Sequence, residues 1–216
     1  MNDQRQPILN APWPAVLVTL SIVVSYGLQS VLLSDLGVRY FAFSSMALAA
    51  GRWETMFTSM LLHGNWAHAL MNAGFALAFG TPVARYFGTS LRGVLVFALF
   101  YLLSGAVACL GYAWLSPGGL LIGASGAVAG LVGGATRLLG GQGVPGRFMS
   151  GPVVSMTVSW VALNLIFAFI DFAPGMGAAK VGWEAHIFGY FAGLFLIDLF
   201  GRLARGPRAD QVVGEH

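Results

Sequence analysis

Long apolar runs alternate with short polar or Gly/Pro-rich breaks along the whole chain. Setting runs against breaks predicts six helices, at residues 15–33, 66–84, 91–115, 125–139, 153–172 and 183–203. Most are near the roughly 20 residues that an α-helix needs to cross a hydrocarbon core. The fourth is shorter, so it is expected to begin below the membrane surface, with residues 116–124 dipping in to meet it. The one long connection, residues 34–65, carries Trp53 and other apolar side chains, and is expected to be ordered, partly interfacial structure. No internal repeat, low-complexity tract or second soluble domain interrupts this pattern. The reading is an all-α membrane protein: a six-transmembrane-helix domain at 15–203, between cytoplasmic tails at 1–14 and 204–216.

Composition sharpens that reading. Hydrophobic residues make up 57% of the 216, and charged residues only 9%. Soluble domains carry about 25% charged residues, so this chain could not cover a water-facing surface. The 30 glycines fit closely packed membrane helices, where small residues let backbones approach. A net charge of +3, with arginines scattered between apolar runs, gives no nucleic-acid footprint. The single cysteine, Cys109, sits inside an apolar run and has no intrachain disulfide partner. A polar N-terminus without a small-residue cleavage site predicts no removed signal peptide. Nothing in the pattern specifies an oligomeric state.

Basic residues orient membrane helices, being retained on the cytoplasmic side. Arg5, Arg85, Arg92, Arg137, Arg147, Arg202, Arg205 and Arg208 fall on one side, and Arg39, Arg52 and Lys180 on the other. Eight against three predicts that both termini are cytoplasmic. The even-numbered helices then begin at the outer surface, and the unusual polar residues gather at those ends. His68 and Asn72 open the second helix, Ser125 the fourth and His186 the sixth. Polar and ionisable groups within membrane spans are costly and face an interior or a watery cavity. A shared cavity near the outer side is the economical explanation.

Each residue has a plain reading beside the chemical one. Ser125 lies in Gly123-Ala124-Ser125-Gly126, where flanking glycines admit another backbone and free helix-start N–H groups favour a developing negative oxygen. A serine there is equally a common helix cap. This is not the soluble G-x-S-x-G elbow, because position 127 is alanine. His186 could take the Ser125 proton and return it to a leaving amine, or could simply bond a backbone carbonyl. Gly189 and Gly193 form a small-residue ridge that matches one through Gly126, Gly130 and Gly134, which would bring these helices close. His68 and Asn72, four apart on one face, could donate to an oxyanion or act as interhelical glue. His63 is read as supporting the preceding turn. With no HExxH and no carboxylate close to these histidines in sequence, neither a metal nor another cofactor is expected.

Taken in order, His63-x4-His68-x3-Asn72, Gly-Ala-Ser125-Gly and Ala-His186-x2-Gly189-x3-Gly193 resemble the rhomboid intramembrane serine proteases. The resemblance covers roughly residues 53–193. It implies a rhomboid-like six-helix bundle in a bacterial inner membrane, with a dyad of Ser125 and His186 open to the outer side. It also implies an oxyanion site around His68, Asn72, Gly123 and the Ser125 N–H, and substrates that are single-span transmembrane proteins met within the lipid bilayer. Two positions depart from the common pattern. Trp53 is followed by Glu54 and preceded by Arg52, whereas many rhomboids carry Trp-Arg, so the first loop is expected to be braced differently. Ala129 stands where many rhomboids place an aromatic ring against the histidine, so either another side chain orients His186 or the imidazole sits more loosely.

Rival readings fare less well. An inactive relative that escorts membrane clients typically lacks the serine or the histidine, and both are present here. A transporter or an aspartyl protease would need cooperating acids. Asp198 lies about 18 Å along its helix from His186 by helical rise, and Asp171 falls towards the opposite face of the membrane from Asp198. Both acids are read as interfacial anchors. Glu184, two residues before His186, should point away from it, so no acidic third member is expected. Residues 172–182, rich in glycine and next to His186, are read as a mobile cap.

Overall fold

The computed structural model describes residues 10–170 and 182–206, so Asp171 and most of the candidate cap lie outside the described residues. Among the described residues the architecture is all-helical, and the only β-type pairing is an isolated bridge between Phe43 and Leu121. Helix α1 spans Trp13–Leu32, followed by three short helices, α2 (Asp35–Phe41), α3 (Ser45–Ala49) and α4 (Thr55–Thr58), and a 3₁₀ turn at Ser59–Leu61. Five long helices complete the bundle: α5 (Trp66–Phe87), α6 (Leu91–Leu115), α7 (Ser125–Gly140), α8 (Gly151–Ile170) and α9 (Trp183–Arg205). The six helices read from the sequence coincide with α1 and α5 to α9. Of these, α1, α6, α8 and α9 are long and apolar enough to cross a membrane.

Side-chain caps set several helix starts. Asn65 accepts from the His68 N–H at 2.8 Å, and Ser90 from the Gly93 N–H at 3.3 Å. Each satisfies a donor that the first helical turn leaves free. Gly88, at φ 84°, closes α5 in a conformation that residues with a Cβ rarely adopt.

Helix α7 is the hub. Every residue from Gly126 to Leu138 is buried, while its neighbours present apolar side chains such as Leu17, Leu95, Ile166 and Phe195 outwards. That position explains its 16-residue length. A helix walled in by protein need not match the thickness of a bilayer. Packing against α9 depends on the missing side chains of facing glycines. A methyl group on Gly189 would strike the Gly126 carbonyl, and one on Gly133 the Tyr190 carbonyl. Such backbone approach is how membrane helices gain van der Waals contact without a hydrophobic driving force.

At the end of α7 away from Ser125, Arg137 is buried and fully engaged. Its guanidinium donates to the Gly146 carbonyl at 2.6 Å, the Leu194 carbonyl at 3.2 Å and Asp198 Oδ2 at 2.7 Å, and lies 3.7 Å over the Phe148 ring. The expectation for Asp198 is corrected here. It is one half of an ion pair to a buried arginine, because α7 and α9 pack closely enough for Arg137 to span them. Arg137 itself serves the interior, with a side chain only 4% exposed.

Candidate active site

Ser125 is the first residue of α7, and its side chain is not used as a cap. The earliest α7 ladder bond runs from the Val128 N–H to the Ala124 carbonyl at 2.9 Å, so the Ser125 N–H precedes the ladder. Gly123, at φ 118°, shapes the approach. A Cβ there would meet the His68 imidazole at 2.9 to 3.0 Å and lie 3.7 Å from Ser125 Oγ. Only glycine lets the serine and that ring flank the same short stretch of backbone. The stretch is pinned from the first loop: the Gly123 N–H donates to the Ser59 carbonyl at 2.9 Å.

His186 lies in the first turn of α9, its N–H donating to the Gly182 carbonyl at 3.3 Å. A Cβ on Gly126 would stand 3.8 Å from that of Ala185, so the residues beside the serine and the histidine are in direct contact. Among the described residues no hydrogen bond joins Ser125 to His186, although both face one cavity. Instead His186 Nδ1 is 2.8 Å from Asn164 Oδ1, on α8.

His68 is buried, and its Nδ1 accepts from the Gly64 N–H at 3.4 Å. That acceptor role places the proton on Nε2, the nitrogen on the Gly123 side. Asn72, one turn on, gives one amide hydrogen to the His68 carbonyl at 3.0 Å and keeps a second. His63 sits beneath, its ring edge-on to His68 with centroids 5.1 Å apart. Burial, with the His68 ring adding to it, pushes the His63 imidazole down to about 3, so it is neutral near pH 7. Its Nε2 accepts from the Ala124 N–H at 3.4 Å. The His63 backbone is clamped by Gln29 of α1, which both donates to it and accepts from it at 2.8 Å.

Ser125, His186, His68, Asn72 and Asn164 all line one cavity of about 760 Å³, bounded also by Trp160. The arrangement offers a hydroxyl, an imidazole and several N–H donors in one partly apolar pocket. Among the described residues no group of His, Cys, Asp or Glu is arranged to hold a metal ion.

The family model for the Rhomboid domain matches residues 50–203, which include Ser125, His186, His68, Asn72 and Asn164. This chain is a member of the rhomboid family. Rhomboids are in general intramembrane serine proteases, and the chain is an integral multi-pass membrane protein. No curated protein matches its sequence.

In this rhomboid the unusual first loop is held by Arg52, which donates to the Tyr40 carbonyl at 2.8 Å, lies 4.0 Å over the Tyr40 ring and pairs with Glu54 at 3.1 Å. Glu184 turns from His186 to accept from the Ser116 hydroxyl. Ala129 is buried within α7, and the group touching the histidine from across the bundle is an amide. The sequence reading passed over that amide and Gln29. Their common mark was present: each is the only side-chain amide in a mostly apolar span, where an unpaired amide is costly.

Proposed function

We propose that this rhomboid is an intramembrane serine endopeptidase that cuts single-span membrane proteins in or near their membrane segment, with Ser125 as nucleophile and His186 as base. The observation that carries the reading is the convergence of Ser125, His186, His68 and Asn72, from three helices, on one cavity. His186 Nε2 removes the hydroxyl proton as Ser125 Oγ attacks the scissile carbonyl, an approach that tightens once substrate is bound. The oxyanion receives the Ser125 N–H, the His68 Nε2–H and the free Asn72 amide hydrogen, beside Gly123. Donors already fixed in a water-poor pocket need no reorganisation as charge develops. His186 then protonates the leaving amine, and water releases the acyl group by the reverse sequence. Protein groups and water supply every step, so no cofactor is required.

In this reading all six long helices cross the bilayer, residues 15–203 form the protease domain, and the loop at 34–65 rests partly at the interface. The excess of arginine on one side supports cytoplasmic termini and an outward-facing site, as in a bacterial inner membrane. The test is to incubate purified protein in detergent with a single-span substrate, beside Ser125→Ala and a fluorophosphonate probe. Cleavage by the wild type alone supports the proposal, whereas probe labelling of Ser125 without proteolysis would point to a different hydrolase.

A further inference from the structure

We infer that Asn164 is a positioning residue for the base: it selects the His186 tautomer and aims Nε2 at Ser125. The inference rests on His186 being the base, and begins from the amide itself. Asn164 Nδ2 donates to the Trp160 carbonyl at 2.9 Å, one turn earlier on α8. A backbone carbonyl only accepts, so the nitrogen of the amide must face it and Oδ1 must face His186 at 2.8 Å. Flipping the amide would set oxygen against oxygen at Trp160. With Oδ1 fixed as an acceptor, His186 Nδ1 must carry the proton. The ring then presents an unprotonated Nε2 on its other side, the form a general base needs.

The placement is specific. Asn164 is 3% exposed, and α8 buries only one other residue, Val153, eleven positions away. Along the same face, the Thr157 hydroxyl lies 2.8 Å from that of Tyr190, and Trp160 stacks on Tyr190 at 5.7 Å. Several residues of α8 line the site cavity, and Asn164 is the buried one among them that meets His186. It also fills the role left open by Ala129, which has no ring to hold the imidazole. The third member of the constellation is neutral, and it comes from α8 rather than from Glu184.

Two measurements test this. In steady-state cleavage, Asn164→Leu should lower kcat by roughly ten- to a hundredfold with little change in KM, since the lost bond orients the base rather than the substrate. Asn164→Asp, whose neutral carboxyl can accept from His186 and donate to the Trp160 carbonyl, should recover most of that loss. Independently of activity, ¹⁵N spectra of histidine-labelled protein, assigned by difference with His186→Gln, should show His186 protonated at Nδ1 and not at Nε2. An unchanged kcat in Asn164→Leu, an Asp variant no better than the Leu variant, or a wild type protonated at Nε2 would overturn the inference. Should the Leu variant fail to fold, the Asp variant and the wild-type spectrum still decide it. A folded wild type that cleaves nothing would count against the protease reading instead, while the spectrum continues to test the bond.

Discussion

A methyl group on Gly193 of α9 would fall well inside the carbonyl oxygen of Gly130 on α7. The two backbones are in contact, and no side chain fits between them. Because α7 delivers Ser125 and α9 delivers His186, this contact sets the separation of the reacting groups. Gly193→Ala should therefore cost about 1 to 3 kcal/mol of stability, as overpacked cores do. It should also lower activity beyond any loss of folded protein. Gly74→Ala on α5, where nothing lies within 4 Å of the added methyl, is the control and should be neutral or slightly stabilising. Thermal unfolding in detergent, followed by cleavage at a temperature where both are folded, separates the two effects.

Loss of either reacting group should be nearly complete while the bundle survives. Ser125→Ala and His186→Ala remove small parts of a cavity wall, so both should purify as folded protein with no measurable cleavage. They should differ from wild type in probe labelling too: none for Ser125→Ala, and much slower for His186→Ala, because the hydroxyl loses its base. Normal cleavage by either variant would end the dyad assignment.

His68 and Asn72 make their proposed bonds chiefly in the transition state. His68→Ala or Asn72→Ala should lower kcat by about a hundredfold, corresponding to roughly 3 kcal/mol per lost donor, with KM little altered. A rise in KM at constant kcat would instead mark them as substrate-holding groups.

Arg137 gathers two carbonyls, a carboxylate and an aromatic face at the far end of α7. Arg137→Met should lower stability by about 2 kcal/mol, mostly through acceptors left without a charged donor. Asp198→Asn should cost less, because Asp198 is 44% exposed and water can replace part of the contact. Equal losses in the two variants would show that the ion pair, rather than the carbonyl bonds, dominates.

The helices were legible because lipid-facing segments must be apolar for nearly their full length. Helices α6 and α9 start where the hydrophobic pattern places them, at Leu91 and Trp183. The C-terminal end of α5 was less so, since Arg85, Tyr86 and Phe87 continue the helix to Gly88 beyond the last purely apolar stretch. At the site, motif spacing pointed to Ser125, His186, His68 and Asn72 because their helical phase and shared depth are properties of the chain alone. The partners of those residues are not. That Gln29 grips His63, that Asn164 meets His186 and that Arg137 reaches Asp198 all depend on how separate helices are rotated and stacked. Spacing within one segment carries no record of that rotation.

Helix α8 turns the larger part of its circumference away from the protein, meeting it along one stripe that includes Val153, Thr157, Trp160 and Asn164. Most of its positions therefore answer to oil rather than to neighbours, and any greasy side chain satisfies them equally. A saturation library across this segment would show broad permissiveness punctuated by a few intolerant sites, and those sites would trace the single seam along which the helix is moored.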